Sequence, residues 1–239
     1  MIRRRTLLAQ GLTGGLTAAT MAAGLAGRAT AQEGLPDGTP RDDQKDQPGV
    51  TPDWGNIDIT GTAPSLSLQM QATPDGREVT QDAFRGSVSM LYFGYTFCPD
   101  ICPLVMQNVV ATLAQAKDAG RQVRFLFVTV DPNRDTNQVL TDYTQAFGPQ
   151  FTGLRGNANQ LDRLARRYRV AYSVSPSPDP RLYEVAHSSS IFVFDRKLNA
   201  RLLVPSMASQ NPDIDGVARE LTRLVTEKPS AWDWLRGLV

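Results

Sequence analysis

Two short, largely apolar segments constrain this 239-residue chain more than any other feature: residues 88–95 (VSMLYFGY) and 123–130 (VRFLFVTV). Apolar runs of this length, bounded by turn signals, are typical of strands buried on both faces of a sheet. Residues 103–117 lie between them and place apolar side chains at helical spacing. Two strands joined by a helix predict a parallel pair within an α/β domain.

The remaining segments predict how this unit is extended. Residues 66–70 alternate apolar and polar side chains, and the turn signal Pro74-Asp75-Gly76 leads into residues 77–80, which predicts an N-terminal β-hairpin. Residues 175–180 contain three prolines and predict a loop. Further helices are expected at residues 136–147, 157–168 and 213–226, and further strands at residues 191–194 and 202–204. The order predicts a parallel-rich sheet covered on both faces.

The first 31 residues are typical of an export signal. Three arginines at positions 3–5 precede residues 6–27, which carry no charge, and Ala29-Thr30-Ala31 offers small residues for cleavage. The arginine pair before Thr6 resembles a twin-arginine signal. An uncleaved signal-anchor is the alternative, because the uncharged stretch is long enough to span a bilayer. We therefore expect an exported, periplasmic protein, either soluble after cleavage or tethered to the outer face of the inner membrane.

Composition divides the rest of the chain. Residues 32–58 are rich in Pro, Gly, Asp and Gln and have few apolar side chains, which predicts a flexible linker. The folded domain is expected at residues 59–230, and residues 231–239 form a C-terminal tail. The formal net charge is +1, and 21 basic and 24 acidic residues follow residue 31. This near balance does not favour nucleic acid as a partner.

The segment with the clearest chemistry is Gly94-Tyr95-Thr96-Phe97-Cys98-Pro99-Asp100-Ile101-Cys102-Pro103, where the first apolar strand meets the following helix. The carboxyl ends of strands in an open α/β sheet are where ligands bind. A cysteine at a helix N-terminus is favoured as a thiolate, which is the reactive and metal-binding form. Because Cys98 and Cys102 lie four residues apart, both sulfurs can reach one point on a helical turn. The pair can form a disulfide or share one soft metal ion.

His187 is the single histidine of the chain and lies in a predicted loop before the strand at residues 191–194. Two thiolates and one imidazole suit copper, because thiolate selects Cu(I) and imidazole also accepts Cu(II). A closed structural zinc site requires four protein ligands, and the chain has neither a third cysteine nor a second histidine. The residues alone leave two alternatives open: a structural disulfide, as is usual in an oxidising compartment, and a purely structural histidine.

Three separated blocks resemble the Sco/SenC family of copper chaperones for cytochrome c oxidase assembly. The first is the cysteine segment, which is similar to the family's Cys-Pro-Asp-x-Cys-Pro signature. The second and third are residues 128–136 (VTVDPNRDT) and 187–195 (HSSSIFVFD). The resemblance extends over about residues 60–228 in the family's order and spacing. The chain departs from the family at Ala186, where an acidic or polar residue is frequent, and at the N-terminus, where most members have a membrane span.

The resemblance implies an α/β, thioredoxin-like fold with an N-terminal β-hairpin and an insertion before the last strands. It also implies that Cys98, Cys102 and His187 bind one copper ion, as Cu(I) or Cu(II). Asp131 matches an acidic residue near the family's metal site, and we expect it to tune the site rather than to bind the metal. A turn or cap before Pro132 explains Asp131 equally well.

The function implied is that of a copper metallochaperone. It would deliver copper to the dinuclear site of cytochrome c oxidase subunit II, with a copper donor protein or a thiol reductant as a further partner. The alternative is a thiol–disulfide oxidoreductase that reduces the cysteines of that oxidase site, with Cys98 as nucleophile and Cys102 as resolving thiol. A peroxidase shares the fold, but the sequence has no sign of a peroxidase's cysteine setting.

Overall fold

The computed structural model describes residues 56–175 and 183–228 of the chain. The predicted signal at residues 1–31, the tail at residues 231–239 and most of the linker at residues 32–58 lie outside the described residues. The three prolines of the loop predicted at residues 175–180 also lie outside them. No helix of the described part is both long enough and apolar enough to cross a membrane.

Ten strands and five α-helices occupy the described residues. The strands are β1 Ile57–Asp58, β2 Gln69–Ala72, β3 Arg77–Thr80, β4 Val88–Gly94, β5 Val123–Thr129, β6 Phe151–Arg155, β7 Tyr172–Ser175, β8 Glu184–His187, β9 Ile191–Phe194 and β10 Ala200–Val204. The helices are α1 Ile101–Gln115, α2 Lys117–Gly120, α3 Asn137–Gln145, α4 Ala158–Arg167 and α5 Ile214–Thr226.

Eight strands form one sheet in the order β1-β10-β9-β4-β5-β6-β2-β3, and β7 and β8 form a separate two-stranded sheet. The predicted parallel pair is confirmed, because β4 and β5 run side by side from Val88 opposite Val123 to Gly94 opposite Thr129. β6 is parallel to β5, whereas the outer pairings are antiparallel. The prediction of a parallel-rich sheet is therefore right for the three central strands and wrong for the outer ones. Short turns join β2 to β3 and β9 to β10, and such turns permit only antiparallel pairing.

The predicted N-terminal hairpin is present but begins later than expected. β2 occupies Gln69–Ala72 rather than residues 66–70, and it pairs with β3. Gly76 lies in the connecting turn with a φ of +68°, a conformation that residues with a side chain rarely adopt. At the opposite edge of the sheet, Ile57 and Asp58, the last two residues of the predicted linker, pair with β10.

Strands β6, β7 and β8 are not predicted from the sequence. β6 is short and contains Gly153, while β7 (YSVS) and β8 (EVAH) lack a continuous apolar run. His187, expected in a loop, is instead the last residue of β8 and lies opposite Tyr172 of β7. Because β7 and β8 form no ladder with the main sheet, their sequences are not constrained to the pattern of a buried strand.

The centre of the sheet and α1 together fix where the cysteines lie. β4 is buried at every position, so both of its faces are covered. α1 begins at Ile101, slightly earlier than expected, and packs against α5. The buried stripe of α1 consists of Cys102, Val105, Met106, Val109, Thr112 and Leu113. This stripe holds the N-terminus of α1 at the carboxyl end of β4.

Candidate metal centre

The cysteine segment connects β4 to α1. Asp100 is the N-cap of α1, but its side chain accepts no capping hydrogen bond. The Cys98 sulfur instead accepts a hydrogen bond from the backbone N–H of Cys102, with a sulfur–nitrogen distance of 3.4 Å. A sulfur at this position faces the unpaired N–H groups and the positive end of the helix dipole, which stabilise a thiolate. Both cysteines are free thiols.

His187 approaches the cysteine pair from the β7–β8 hairpin. Its Nε2 atom lies 3.4 Å from Cys102 Sγ, and its Nδ1 atom lies 3.0 Å from the backbone carbonyl oxygen of Ser188. A carbonyl oxygen can only accept a hydrogen bond, so Nδ1 is the donor to Ser188 and Nε2 is the ring nitrogen that faces the cysteines. The ligand atoms of Cys98, Cys102 and His187 lie within 4.8 Å of one another, and no other such group of three occurs within residues 56–175 and 183–228.

Two tyrosines that sequence reasoning does not single out surround the imidazole. The rings of Tyr92 and Tyr95 meet the His187 ring edge-on, with centroid distances of 5.9 and 5.8 Å. The Tyr92 hydroxyl, inside a fully buried strand, donates a hydrogen bond to Cys102 Sγ at 3.6 Å. A phenol in an otherwise apolar buried strand requires a polar partner, and this requirement is the one sequence signal from which Tyr92 could be found.

The two sulfurs differ in acidity. The hydrogen bond from the Cys102 thiol lowers the pKa of Cys98 to about 3 despite partial burial, and His187 and the backbone N–H groups at the start of α1 add to the effect. The same hydrogen bond, together with burial, raises the pKa of Cys102. Without a metal ion the reduced pair therefore consists of a Cys98 thiolate and a Cys102 thiol. Metal binding releases the remaining proton, because both sulfurs bind metal as thiolates.

Access to the site is one-sided. Cys102 is fully buried, whereas Cys98 is 9% exposed and lines an open cleft of about 450 Å³ together with His187. Phe97, next to Cys98 in the chain, and Ile101, which lines the cleft, are exposed despite being large and apolar. An incoming group can therefore reach Cys98 and His187 from the cleft while Cys102 stays shielded from water.

Asp131 is not among the ligand atoms that lie together. Its side chain is 2% exposed, forms an ion pair with Arg134 and accepts a hydrogen bond from the hydroxyl of Tyr183. Its backbone carbonyl accepts a hydrogen bond from the Asp135 N–H at 3.0 Å, which closes a turn around Pro132. Because Tyr183 directly precedes β8, this hydrogen bond connects the side chain of Asp131 to the β7–β8 hairpin.

A second buried carboxylate, Asp135, fixes the start of the cysteine segment. It accepts hydrogen bonds from the Thr96 N–H at 3.0 Å, the Thr96 hydroxyl at 2.6 Å and the Thr129 hydroxyl at 2.5 Å. Burial raises the pKa of Asp135, and these hydrogen bonds oppose the rise. In the sequence Asp135 stands out only as part of a motif, because its partner Thr96 lies far away along the chain.

Replacing Asp135 with alanine is expected to lower the free energy of unfolding by about 3 kcal/mol, because the buried Thr129 hydroxyl and two part-buried donors of Thr96 lose their acceptor at once. Urea unfolding followed by circular dichroism measures the change. Asp118→Ala is the control, because Asp118 is exposed and pairs only with an exposed Arg121 among the described residues, so we expect little change in stability. Equal losses in the two variants would contradict the role given to Asp135.

The donor set of the site fits a soft metal ion that accepts few ligands. Two sulfurs and an imidazole nitrogen suit copper. Structural zinc sites are closed by four protein ligands, and the described residues bring three together here. The Nδ1 hydrogen bond of His187 to a backbone carbonyl is the arrangement typical of metal-binding histidines.

An α/β domain with a cysteine pair at a strand–helix junction, and a histidine brought to it by a hairpin, defines a class of thioredoxin-like protein equipped to hold a metal ion. The chain belongs to the SCO1/SenC family, whose model matches residues 70–225. The mitochondrial SCO2 homolog of Bos taurus is 42% identical over 120 residues, which are 49% of this chain and 45% of that protein. The mitochondrial SCO1 homolog 1 of Arabidopsis thaliana is 34% identical over 152 residues, which are 62% of this chain and 44% of that protein. The chain thus spans less than half the length of these curated relatives.

Solved structures of the same fold include several with copper bound. ScoI of Arabidopsis thaliana is 30% identical with a TM-score of 0.60, and the match covers 68% of this chain and 98% of that one. Yeast Sco1 is 27% identical with a TM-score of 0.60, and the match covers 72% of this chain and 94% of that one. The thioredoxin-like fold implied by the resemblance is confirmed.

Proposed function

We propose that this chain is a copper metallochaperone that binds one copper ion through Cys98, Cys102 and His187 and delivers it to the dinuclear copper site of cytochrome c oxidase subunit II. The observation that carries the proposal is the convergence of these three ligand atoms within 4.8 Å. Copper is the metal bound in the related structures of Arabidopsis thaliana ScoI and yeast Sco1. The signal-like residues 1–31 support a periplasmic location, where such an oxidase domain is reached.

The one-sided access supports release by ligand exchange. Thiols of a partner would enter through the cleft, lose their protons and bind copper as thiolates. The protein's own ligands would leave in turn, and Cys102 would take up a proton, because its raised pKa favours the thiol once copper has gone. Cys98 would remain as a thiolate, ready for the next ion. Formation of a Cys98–Cys102 disulfide would remove both thiolates, so a thiol reductant is required before copper loading.

The test is a transfer assay. The full chain, loaded with one equivalent of copper, is mixed with the copper-free copper-site domain of oxidase subunit II, and the dinuclear centre is followed by absorption and spin resonance. We expect the centre to form from the loaded chain faster than from the same amount of copper held by a small chelator. A loaded chain that keeps its copper, or transfers no faster than the chelator, would contradict delivery.

A thiol–disulfide oxidoreductase is the second candidate, and the unequal acidity of the two cysteines favours it. Cys98 is the thiolate at the cleft, as an attacking sulfur must be, and Cys102 is the shielded thiol that would resolve the mixed disulfide. In this exchange the Cys98 thiolate attacks a partner disulfide and releases one partner sulfur, which takes up the proton given up by the Cys102 thiol. The Cys102 sulfur then attacks Cys98 in the mixed disulfide and releases the second partner sulfur as a thiolate, so the partner is reduced and the Cys98–Cys102 pair becomes a disulfide. His187 is not required for this exchange, which separates the two functions experimentally.

A further inference from the structure

The hairpin that bears His187 is attached to the domain by side chains rather than by a shared sheet. Within the described residues, β7 and β8 form ladder hydrogen bonds only with each other. His187 at the end of β8 nevertheless has to meet sulfurs that belong to the β4–α1 connection. Residues that fasten the hairpin therefore determine where the imidazole lies.

Arg134, in the loop after β5, contacts both the cysteine segment and the residue that precedes the His187 strand. Its Nη1 atom donates a hydrogen bond to the backbone carbonyl of Tyr183 at 2.9 Å, and its guanidinium lies 3.7 Å from the centroid of the Tyr183 ring. The same guanidinium lies 5.1 Å from the ring centroid of Phe97, the residue before Cys98, and 5.7 Å from that of Tyr95. One side chain thus bridges the cysteine segment and the start of β8.

Asp131 completes the contact. Its two carboxylate oxygens are used separately, one by the Arg134 guanidinium and the other by the Tyr183 hydroxyl. The carboxylate is almost fully buried and the arginine is 13% exposed, so solvent screens this ion pair only weakly. Desolvation and the bond to Asp131 raise the pKa of Tyr183 to about 12, so its hydroxyl remains a donor at neutral pH.

We propose that Asp131, Arg134 and Tyr183 form a clasp that positions His187 against the cysteine pair and so sets the affinity for copper. The inference rests on the proposed function. It also gives Asp131 a role that needs no contact with the metal. If the clasp opens, the imidazole is no longer held beside Cys102, and apparent affinity falls in proportion to the fraction of molecules that keep it there. All three are positioning residues.

The test replaces Tyr183 with phenylalanine, which keeps the ring against Arg134 but removes the hydrogen bond to Asp131. Loss of a hydrogen bond to a charged group shifts such an equilibrium by about tenfold, and we expect Cu(I) affinity, measured by chelator competition, to fall by about that factor. Arg134→Lys keeps the charge but loses the stacking and the fork geometry, and is expected to act in the same direction. Tyr143→Phe is the control, because the Tyr143 hydroxyl has no hydrogen-bond partner among the described residues.

Two readouts separate positioning from general damage to the fold. His187 is the only histidine, so its ring signals in the nuclear magnetic resonance spectrum of the copper-free full chain, made with a histidine-free tag, are unambiguous. We expect its cross-peaks to the Tyr92 and Tyr95 rings in wild type and Tyr143→Phe, and their loss or weakening in Tyr183→Phe. In a His187→Ala background, Tyr183→Phe is expected to cause no further loss of Cu(I) affinity.

Each outcome has a distinct meaning. Unchanged cross-peaks in Tyr183→Phe would overturn the clasp, as would an equal loss of affinity with and without His187. Weakened cross-peaks together with a wild-type chain that binds no copper would support the clasp as a positioning device for His187 and sink the proposed function instead. The copper-free spectrum therefore distinguishes the failure of one from the failure of the other.

Discussion

Replacing His187 with alanine is expected to weaken Cu(I) binding by about 100-fold or more, equivalent to about 2.7 kcal/mol. The imidazole is the one nitrogen ligand in the group of three side chains that the described residues bring together, and its Nε2 atom is already turned towards the sulfurs by the bond from Nδ1 to Ser188. Two thiolates alone can still hold Cu(I), so binding is weakened rather than abolished. Chelator competition on the reduced full chain measures the change.

The same variant distinguishes the two candidate functions. Its reduction of a small disulfide should stay within about a factor of three of wild type, because the Cys98 thiolate is stabilised first by Cys102 and only secondarily by His187. Ser189→Ala is the matched control, since Ser189 lines the same cleft and lies outside the ligand group. Unchanged copper affinity combined with lost disulfide exchange would reverse our assignment and favour the reductase.

Alkylation of Cys98 by iodoacetamide is expected to be almost independent of pH between about pH 5 and about pH 8. A pKa of about 3 leaves this sulfur fully ionised throughout that range. In Cys102→Ala the strongest stabilising hydrogen bond is absent, so the pKa of Cys98 rises and the thiolate is partly lost at low pH. The alkylation rate of the variant should then rise by about tenfold per pH unit below its new pKa.

The shape of the pH profile is the quantity to compare, because a thiolate of higher pKa is intrinsically more nucleophilic and absolute rates at one pH are ambiguous. Mass spectrometry after limited reaction should locate the label on Cys98 and leave the buried Cys102 unmodified. Circular dichroism verifies that Cys102→Ala is folded. A wild-type rate that climbs steadily from pH 5 to pH 8, in parallel with the variant, would contradict the proposed sharing of one proton between the sulfurs.

The central part of the fold is predictable from the sequence because it depends on local patterns. The apolar runs of β4 and β5 and the apolar stripe of α1 can be read from neighbouring residues, and each element is found within about two residues of its predicted bounds. The outer strands are harder to predict from the sequence. β6 is short and contains a glycine. β7 and β8 are not part of the main sheet, so their sequences do not show the periodic pattern of a buried strand.

The candidate metal ligands can be predicted from the sequence, but the residues that position them cannot. The four-residue spacing of Cys98 and Cys102 predicts that their sulfurs lie close together. Nothing in the residues alone gives the distance from His187 to these sulfurs. Only the family resemblance implied that all three bind the metal together. Tyr92 and Tyr183 act through hydroxyls whose partners lie 10 and 52 residues away in the chain. Such contacts arise from tertiary packing, which local spacing does not encode.

The most direct test of the copper site is X-ray absorption at the copper edge of the full chain loaded with one equivalent of Cu(I). We expect two sulfur scatterers and one imidazole nitrogen in the wild type, with the imidazole contribution missing from His187→Ala. A copper environment without sulfur would contradict binding through Cys98 and Cys102. A wild-type spectrum that lacks the imidazole contribution and equals that of His187→Ala would contradict binding through His187.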